Sequence, residues 1–310
     1  MSRKKLIKST GVIASATALS RVLGFVRDIV IARFFGTAIF AQAFVVAFRI
    51  PNLLRDLVGE GAMNAALVPV MTGELASRGK KDFLALSRVV LNILFVSLLV
   101  LTVAGILAAP FIVRVMAPGF AADAEKLDIT VKLTRMLFPF LMLVGIWAFM
   151  MGMLNTLGYF AAPAFGPCVL NLSMIACAAF FGENVFGLAS GVLIGGTAQV
   201  LIQFPPLWMS GWRPALTLEF RHPGAKKIGL LLVPRALGAC VYQLNVFVST
   251  ILASLSWIVG EGAVAALYYA NRVWQLPLAV FAIAMAQAAL PAMSRHVVEK
   301  DIEKMKEMML

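Results

Sequence analysis

The chain has 310 residues, of which 61% are hydrophobic and 14% charged, with a mean hydropathy of +0.91. Soluble domains run at roughly 45–50% apolar and cannot bury this much apolar surface, so the excess is expected to face lipid. The net charge of +12 would point to nucleic acid in a soluble protein, but the cations gather in the gaps between apolar stretches, which favours membrane topology over that partner.

A span needs about 20 mainly apolar residues. Taken in chain order, breakers and hydropathy predict helices at 10–35, 41–72, 83–116, 129–154, 161–181, 185–209, 228–259 and 263–293. The second is long and holds Pro51 and Pro69, so a kink or break is expected in it. Arg3, Lys4 and Lys5 ahead of Ala14, Ala16 and Ala18 imitate a signal peptide. The stretch between them is too weakly apolar for one, and the pattern runs on past Arg33.

Cations mark alternate gaps. Arg3, Lys4, Lys5 and Lys8 precede the first span, and Arg78, Lys80, Lys81 and Arg88 surround the second gap. Arg213, Arg221, Lys226 and Lys227 fill the sixth, while Arg295, Lys300, Lys304 and Lys306 follow the eighth. The odd-numbered gaps are neutral or acidic apart from Lys126, with Glu183 and Glu261 in two of them. An even number of spans with both ends of this chain in the cytoplasm fits that alternation.

Cys168, Cys177 and Cys240 lie inside apolar segments without metal-ligand spacing, and His222 and His296 stand apart in polar stretches. No disulfide framework, metal site, cofactor or acid–base cluster is expected, which argues against an enzyme.

Some arginines sit where a span should have none. Arg33, Arg114 and Lys132 lie near predicted ends and can snorkel to the headgroups, and Arg135 stands between the two classes. Arg21, Arg27, Arg49, Arg55, Arg235 and Arg272 fall deeper. An ionised side chain there costs several kcal/mol on most scales, roughly, unless it meets a partner or a wet cavity. Ser20, Arg21, Gly24, Arg27 and Asp28 share one arc of the first helix, and Gln42, Arg49, Asn52, Asp56 and Glu60 share one arc of the second, with Arg55 at its edge. Ion pairing inside the protein, such as Arg21 with Asp28 or Arg49 with Asp56, is the bland alternative. The arcs hold more arginines than carboxylates, however, and a surplus guanidinium suits phosphate, which its planar fork binds in two places.

Weaker signals read as structure. Gly187, Gly191 and Gly195 recur at every fourth residue, as in a helix-packing face. Trp257, Tyr268, Tyr269 and Trp274 suit interfacial or packing positions, and Gln243 and Asn245 suit hydrogen bonds between helices.

The chain also echoes itself. Arg21-Val22-Leu23-Gly24 returns as Arg235-Ala236-Leu237-Gly238, and Ala65-Ala66-Leu67-Val68-Pro69 returns as Ala288-Ala289-Leu290-Pro291. Six-span repeats with substrate between the halves are a recurring transporter plan. The expected domains are a first six-helix lobe over 1–210, a cytoplasmic loop over 211–227, and the first two helices of a second lobe with a tail over 228–310. On that plan the chain is expected to stop short of a full second lobe.

The run Ser20-Arg21-Val22-Leu23-Gly24-Phe25-Val26-Arg27-Asp28 and the run Ala47-Phe48-Arg49-Ile50-Pro51-Asn52-Leu53-Leu54-Arg55 with Glu60-Gly61-Ala62 resemble the MurJ (MviN) family. Further matches in order are Ala117-Pro118-Gly119-Phe120, Leu154-Asn155-Thr156, Pro163-Ala164-Phe165-Gly166-Pro167 with Leu170-Asn171, and Tyr268-Tyr269-Ala270-Asn271-Arg272. That resemblance implies an all-α polytopic membrane protein of the bacterial inner membrane, in the multidrug/oligosaccharidyl-lipid/polysaccharide exporter superfamily. It implies a flippase that carries lipid II across the bilayer by alternating access, driven by a coupling cation or the membrane potential. Family residues that hold the diphosphate and head group match Arg21, Arg27, Arg55 and Arg272, and the arcs add Ser20, Gly24, Asp28, Arg49, Asn52 and Glu60 as substrate-binding candidates. The sequence departs from the family at Gln42, Asp56, Asn271 and Gln275, where other charges are usual. Rival expectations are an exporter of another polyprenyl diphosphate-linked sugar and a scaffold for cell-wall assembly. A cationic drug would be repelled by the surplus cations.

Overall fold

The computed structural model describes the backbone of residues 3–58, 62–215 and 219–277, with the side chains of 3–9, 50, 54–58, 62, 235–242 and 276–277 left out. Among the described residues every regular element is helical. The chain divides into two compact units, Met1–Ala265 and Ala266–Leu310.

The first unit begins with α1 (Arg3–Phe35), α2 (Ile39–Val58) and α3 (Ala62–Ser77). The long second span expected from sequence is thus two described helices, with residues 59–61 between them outside the description. Pro51 and Pro69 lie within α2 and α3 rather than at their ends. Next comes α4 (Lys80–Met116), then a 3-10 turn (Pro118–Ala122).

The fourth span also divides, into α5 (Ala124–Leu137) and α6 (Pro139–Leu157). Pro139 has no N–H to continue the ladder and starts a new helix at its first position. Then follow α7 (Ala161–Phe181), α8 (Val185–Leu201) and the short α9 (Phe204–Met209). The prolines at 205 and 206 occupy the first turn of α9, where a missing N–H costs nothing. The unit closes with α10 (Pro223–Ser254) and a single turn, α11 (Ser256–Val259), before α12 (Ala263–Pro277) leads into the second unit. Of the eighth span, residues 278–293 fall outside the description.

Four stretches are long and apolar enough to cross a membrane: Lys80–Met116, Ala124–Leu157, Ala161–Phe181 and Val185–Met209. Ile39–Leu53 and Gln243–Ser254 are shorter apolar helices. Exposure follows the membrane expectation. On α4, Leu99, Val100, Leu101, Val103, Leu107 and Phe111 are all exposed, an apolar face of the kind that suits lipid.

Burial sets the centre of the unit. Residues 41–48 of α2 are buried on every side, and the helix packs against α5, α6 and α10. A helix apolar all round belongs in the middle of a bundle. Gln42, the polar residue in that run, donates to the Thr37 carbonyl at 3.1 Å, so it satisfies the start of its own helix. A core of Leu67, Met71, Phe83, Leu86, Phe149 and Met150 fills the space between α3, α4 and α6. Trp212, which is buried, tucks back under α4 and donates to Ser87 Oγ at 3.0 Å.

Gly187, Gly191 and Gly195 do form a packing face. A Cβ at 191 would lie 2.8 Å from Cys177 Cβ and one at 195 would lie 2.9 Å from the Leu170 Cα, so α7 and α8 meet backbone to backbone. Ser173 Oγ adds a hydrogen bond to the Gly191 carbonyl at 2.9 Å. Gly105 is tighter still, since a Cβ there would sit 1.9 Å from the Phe138 ring at the α5–α6 break. Phe138 is buried, so its ring has little room to yield. G105A is expected to cost about 1–3 kcal/mol, read as a lower thermal unfolding midpoint in detergent.

Candidate functional site

On α1 the predicted arc is real but divided in its environment. Arg27 and Asp28 are 7% and 5% exposed and face α7. Asp28 Oδ1 accepts from Arg27 Nε at 3.0 Å and from Nη2 at 2.8 Å. Arg27 Nη1 donates to Asn171 Oδ1 at 2.9 Å, and Asn171 Nδ2 donates to the Ser20 carbonyl at 3.1 Å. The cluster zips α1 to α7, with Gly24 beside it, where a Cβ would make ordinary contact with the Asn171 amide at 3.6 Å. A buried charge needs this partnership because desolvation of an unpaired guanidinium costs several kcal/mol, roughly. Asp28 is therefore paired with its chain neighbour rather than with Arg21, the pairing weighed from sequence.

Asn171 was visible in the sequence only as part of a family-like run. Its role needed the structure, because 144 residues separate it from Arg27 and no periodicity links positions on two helices.

Arg21 behaves differently. It is exposed, and among the described residues it makes no hydrogen bond or ion pair. It sits 14 residues before the end of α1 at Phe35, roughly 21 Å along the helix at 1.5 Å per residue. At about 100° per residue, Leu19, Val22, Val26 and Ile29 form an exposed apolar stripe on α1, and Arg21 lies between that stripe and Asp28. An exposed guanidinium beside an apolar stripe is best satisfied by water or an anion.

Arg49, half-buried on α2, donates from Nη1 to Thr250 Oγ1 on α10. Thr250 in turn donates to the Val246 carbonyl at 2.6 Å. Asn52 is half-buried one turn further along α2. The side chains of Arg55, Asp56 and Arg235, and the whole of Glu60, lie outside the described residues. In the second unit Arg272 donates to Gln275 Oε1 at 3.1 Å and lies over the Tyr268 ring, 5.2 Å from its centroid, a cation–π contact that the sequence reading did not foresee. The structure thus joins Ser20, Gly24, Arg27 and Asp28 around Asn171, and Arg49 with Thr250.

Arg33, Arg114 and Lys132, the cations read as snorkelling, are exposed, and so is Arg135, which stood between the two classes. Asn245 is exposed, whereas Gln243 is buried.

A family model described as "Lipid II flippase MurJ" matches residues 31–310. The chain is 39% identical over 298 residues to a "Probable lipid II flippase MurJ" of Rhizobium tropici, covering 94% of this chain and 55% of that protein. It is 36% identical over 304 residues to a "Lipid II flippase MurJ" of Burkholderia cenocepacia, covering 96% of this chain and 58% of that one. The chain thus spans a little over half the length of these relatives. Among solved structures it is similar to "Lipid II flippase MurJ, inward closed conformation" (TM-score 0.77, 24% identity, 91% of this chain and 58% of that one). It is also similar to an inward-facing multidrug resistance MATE family transporter of the MOP superfamily (TM-score 0.68, 16% identity, 95% of this chain and 68% of that one). These likenesses show the fold: an all-α polytopic membrane protein.

Proposed function

The chain belongs to the MurJ lipid II flippase family, and on that premise we propose that it is the portion of a lipid II flippase that presents arginines to the substrate diphosphate. The observation that carries this reading is Arg21, an exposed guanidinium in the middle of α1 with no hydrogen bond or ion pair among the described residues. A diphosphate offers the paired acceptor oxygens that such a fork binds best. Arg27 supports the reading from behind. Locked by Asp28 and Asn171 in a neutral pair, it holds α1 against α7 and so fixes the helix that carries Arg21.

The proposed cycle moves no covalent bond. The head group of an undecaprenyl diphosphate-linked sugar–peptide enters from the cytoplasmic side and meets the arginines of α1 and α2, while the polyprenyl tail stays in lipid. One side closes and the other opens, and the head leaves toward the periplasm. The cation-rich connections lie on the cytoplasmic side in this reading, which places both ends of the chain there. The family resemblance supports a coupling cation or the membrane potential as the driving force.

The test is binding and transport by the purified full-length parent in proteoliposomes, with lipid II against other polyprenyl diphosphate-linked sugars. Lipid II is expected to bind at least about tenfold tighter, which is about 1.4 kcal/mol, and to be moved between leaflets. Equal binding of all the diphosphate lipids would turn the reading toward a general polyprenyl diphosphate exporter. Absence of transport for every one of them would leave a scaffold.

A further inference from the structure

We propose that residues 117–126 and 254–262 form a latch that holds the end of α10 against the first nine helices, and that its release opens that end of the bundle. The inference deepens the alternating-access reading above and rests on it.

Three connections meet at this end: α1 to α2, the 3-10 turn between α4 and α5, and the segment from α10 to α12. The Gly119 N–H donates to Ser254 Oγ at 3.2 Å. A Cβ on Gly119 would lie 1.8 Å from the Ser254 carbonyl oxygen, so the two backbones touch and only glycine fits. Phe120, buried beside it, lies under Lys126 Nζ, 4.4 Å from the ring centroid. Lys126 is 4% exposed, yet its Nζ reaches Glu261 Oε2 at 3.3 Å. A Cβ on Gly262 would come 3.0 Å from Thr37 Cβ, which brings the α1–α2 connection into the same junction.

The junction is tight in shape but weak in substance. The Glu261 side chain is 74% exposed, so water competes for it and the pair is worth little on its own. Trp257, Ile258 and Val259 of α11 are all exposed, so they add no buried apolar surface to the junction, whose apolar packing is left to residues such as Phe120. A junction of this kind separates at small cost, as a gate must, while a welded interface would bury those side chains. Pro234, inside α10, removes one helical hydrogen bond and marks where the helix can bend as its far end leaves.

The latch also reaches the candidate site. Thr250, which accepts from Arg49, lies one turn before Ser254 on α10. Closing the latch and docking Arg49 on α10 are therefore one motion, and opening it removes an acceptor from a candidate substrate-binding arginine.

The test uses the full-length parent with its native cysteines replaced, nitroxide labels at Ala122 and Val259, and electron paramagnetic resonance distances in lipid without substrate. Both positions are exposed. The wild type is expected to show a short-distance population. E261A and K126A should lower the ratio of short to long distances about two- to fivefold, G119A should lower it more than tenfold, and the exchanged pair K126E/E261K should restore it. A distance distribution unchanged in both K126A and G119A, each with a near-normal unfolding midpoint, would overturn the latch. If G119A fails to fold, K126A and E261A decide alone. Because no substrate is present, a latch that responds in a protein unable to move lipid II would sink the transport reading and leave this one standing.

Discussion

Asp28→Ala is expected to destabilise the folded protein by about 3–5 kcal/mol, the cost of stripping a buried guanidinium of its carboxylate. Asp28 takes two of the three nitrogens of Arg27, and both residues are almost fully buried. The measurement is thermal unfolding in detergent or lipid. The informative comparison is with the double variant Arg27→Met/Asp28→Leu, which removes charge and counter-charge together. A buried pair replaced by apolar side chains is often neutral, so the double variant should lie closer to wild type than D28A does. A D28A protein as stable as wild type would mean that Arg27 is hydrated in solution and that the α1–α7 zipper is ornamental.

Arg21→Ala is expected to do the reverse, leaving the fold intact and abolishing the work. Arg21 makes no contact with described partners, so the unfolding midpoint should stay within about the ±0.5 kcal/mol typical of surface substitutions. Loss of a charge-assisted hydrogen bond costs about 1.5–3 kcal/mol, and two from one fork should lower lipid II binding and transport by the full-length parent on the order of a hundredfold. Arg21→Lys should recover only part, because an ammonium keeps the charge but loses the planar fork. Near-normal transport in R21A would end the assignment of this side chain to the substrate.

The contrast between Arg27 and Arg21 is the functional content of α1. They lie six positions apart on one arc, which the sequence shows plainly. One is enclosed by a second helix and becomes part of the frame, while the other meets no neighbour and is left for a ligand. Arg49 falls between them, half-buried and tied to α10 through Thr250, so its availability depends on where that helix stands.

Much was legible in the sequence because membrane physics leaves a coarse, local imprint. Lipid demands long apolar runs with their backbone groups satisfied internally, and the helices α4 and α7 fall within three residues of where hydropathy places them, while the span expected over 185–209 divides into α8 and the short α9. The glycine repeat at 187, 191 and 195 announced a helix contact, since its spacing keeps all three on one face. The family was legible too, because its runs of arginine, glycine and proline are contiguous in the chain.

What the sequence by itself determined, then, was the class of protein, the helices and the arcs on which the unusual arginines lie, all properties of neighbours along the chain. The tertiary structure alone decided which arginine is locked and which is open, that Asn171 closes the Arg27 cluster, and that Gly119 and Lys126 meet Ser254 and Glu261 across 135 residues. The physical reason is that the energy of a charge in a membrane depends on what stands opposite it. That partner is chosen by packing between helices, about which the periodicity of any one helix is silent.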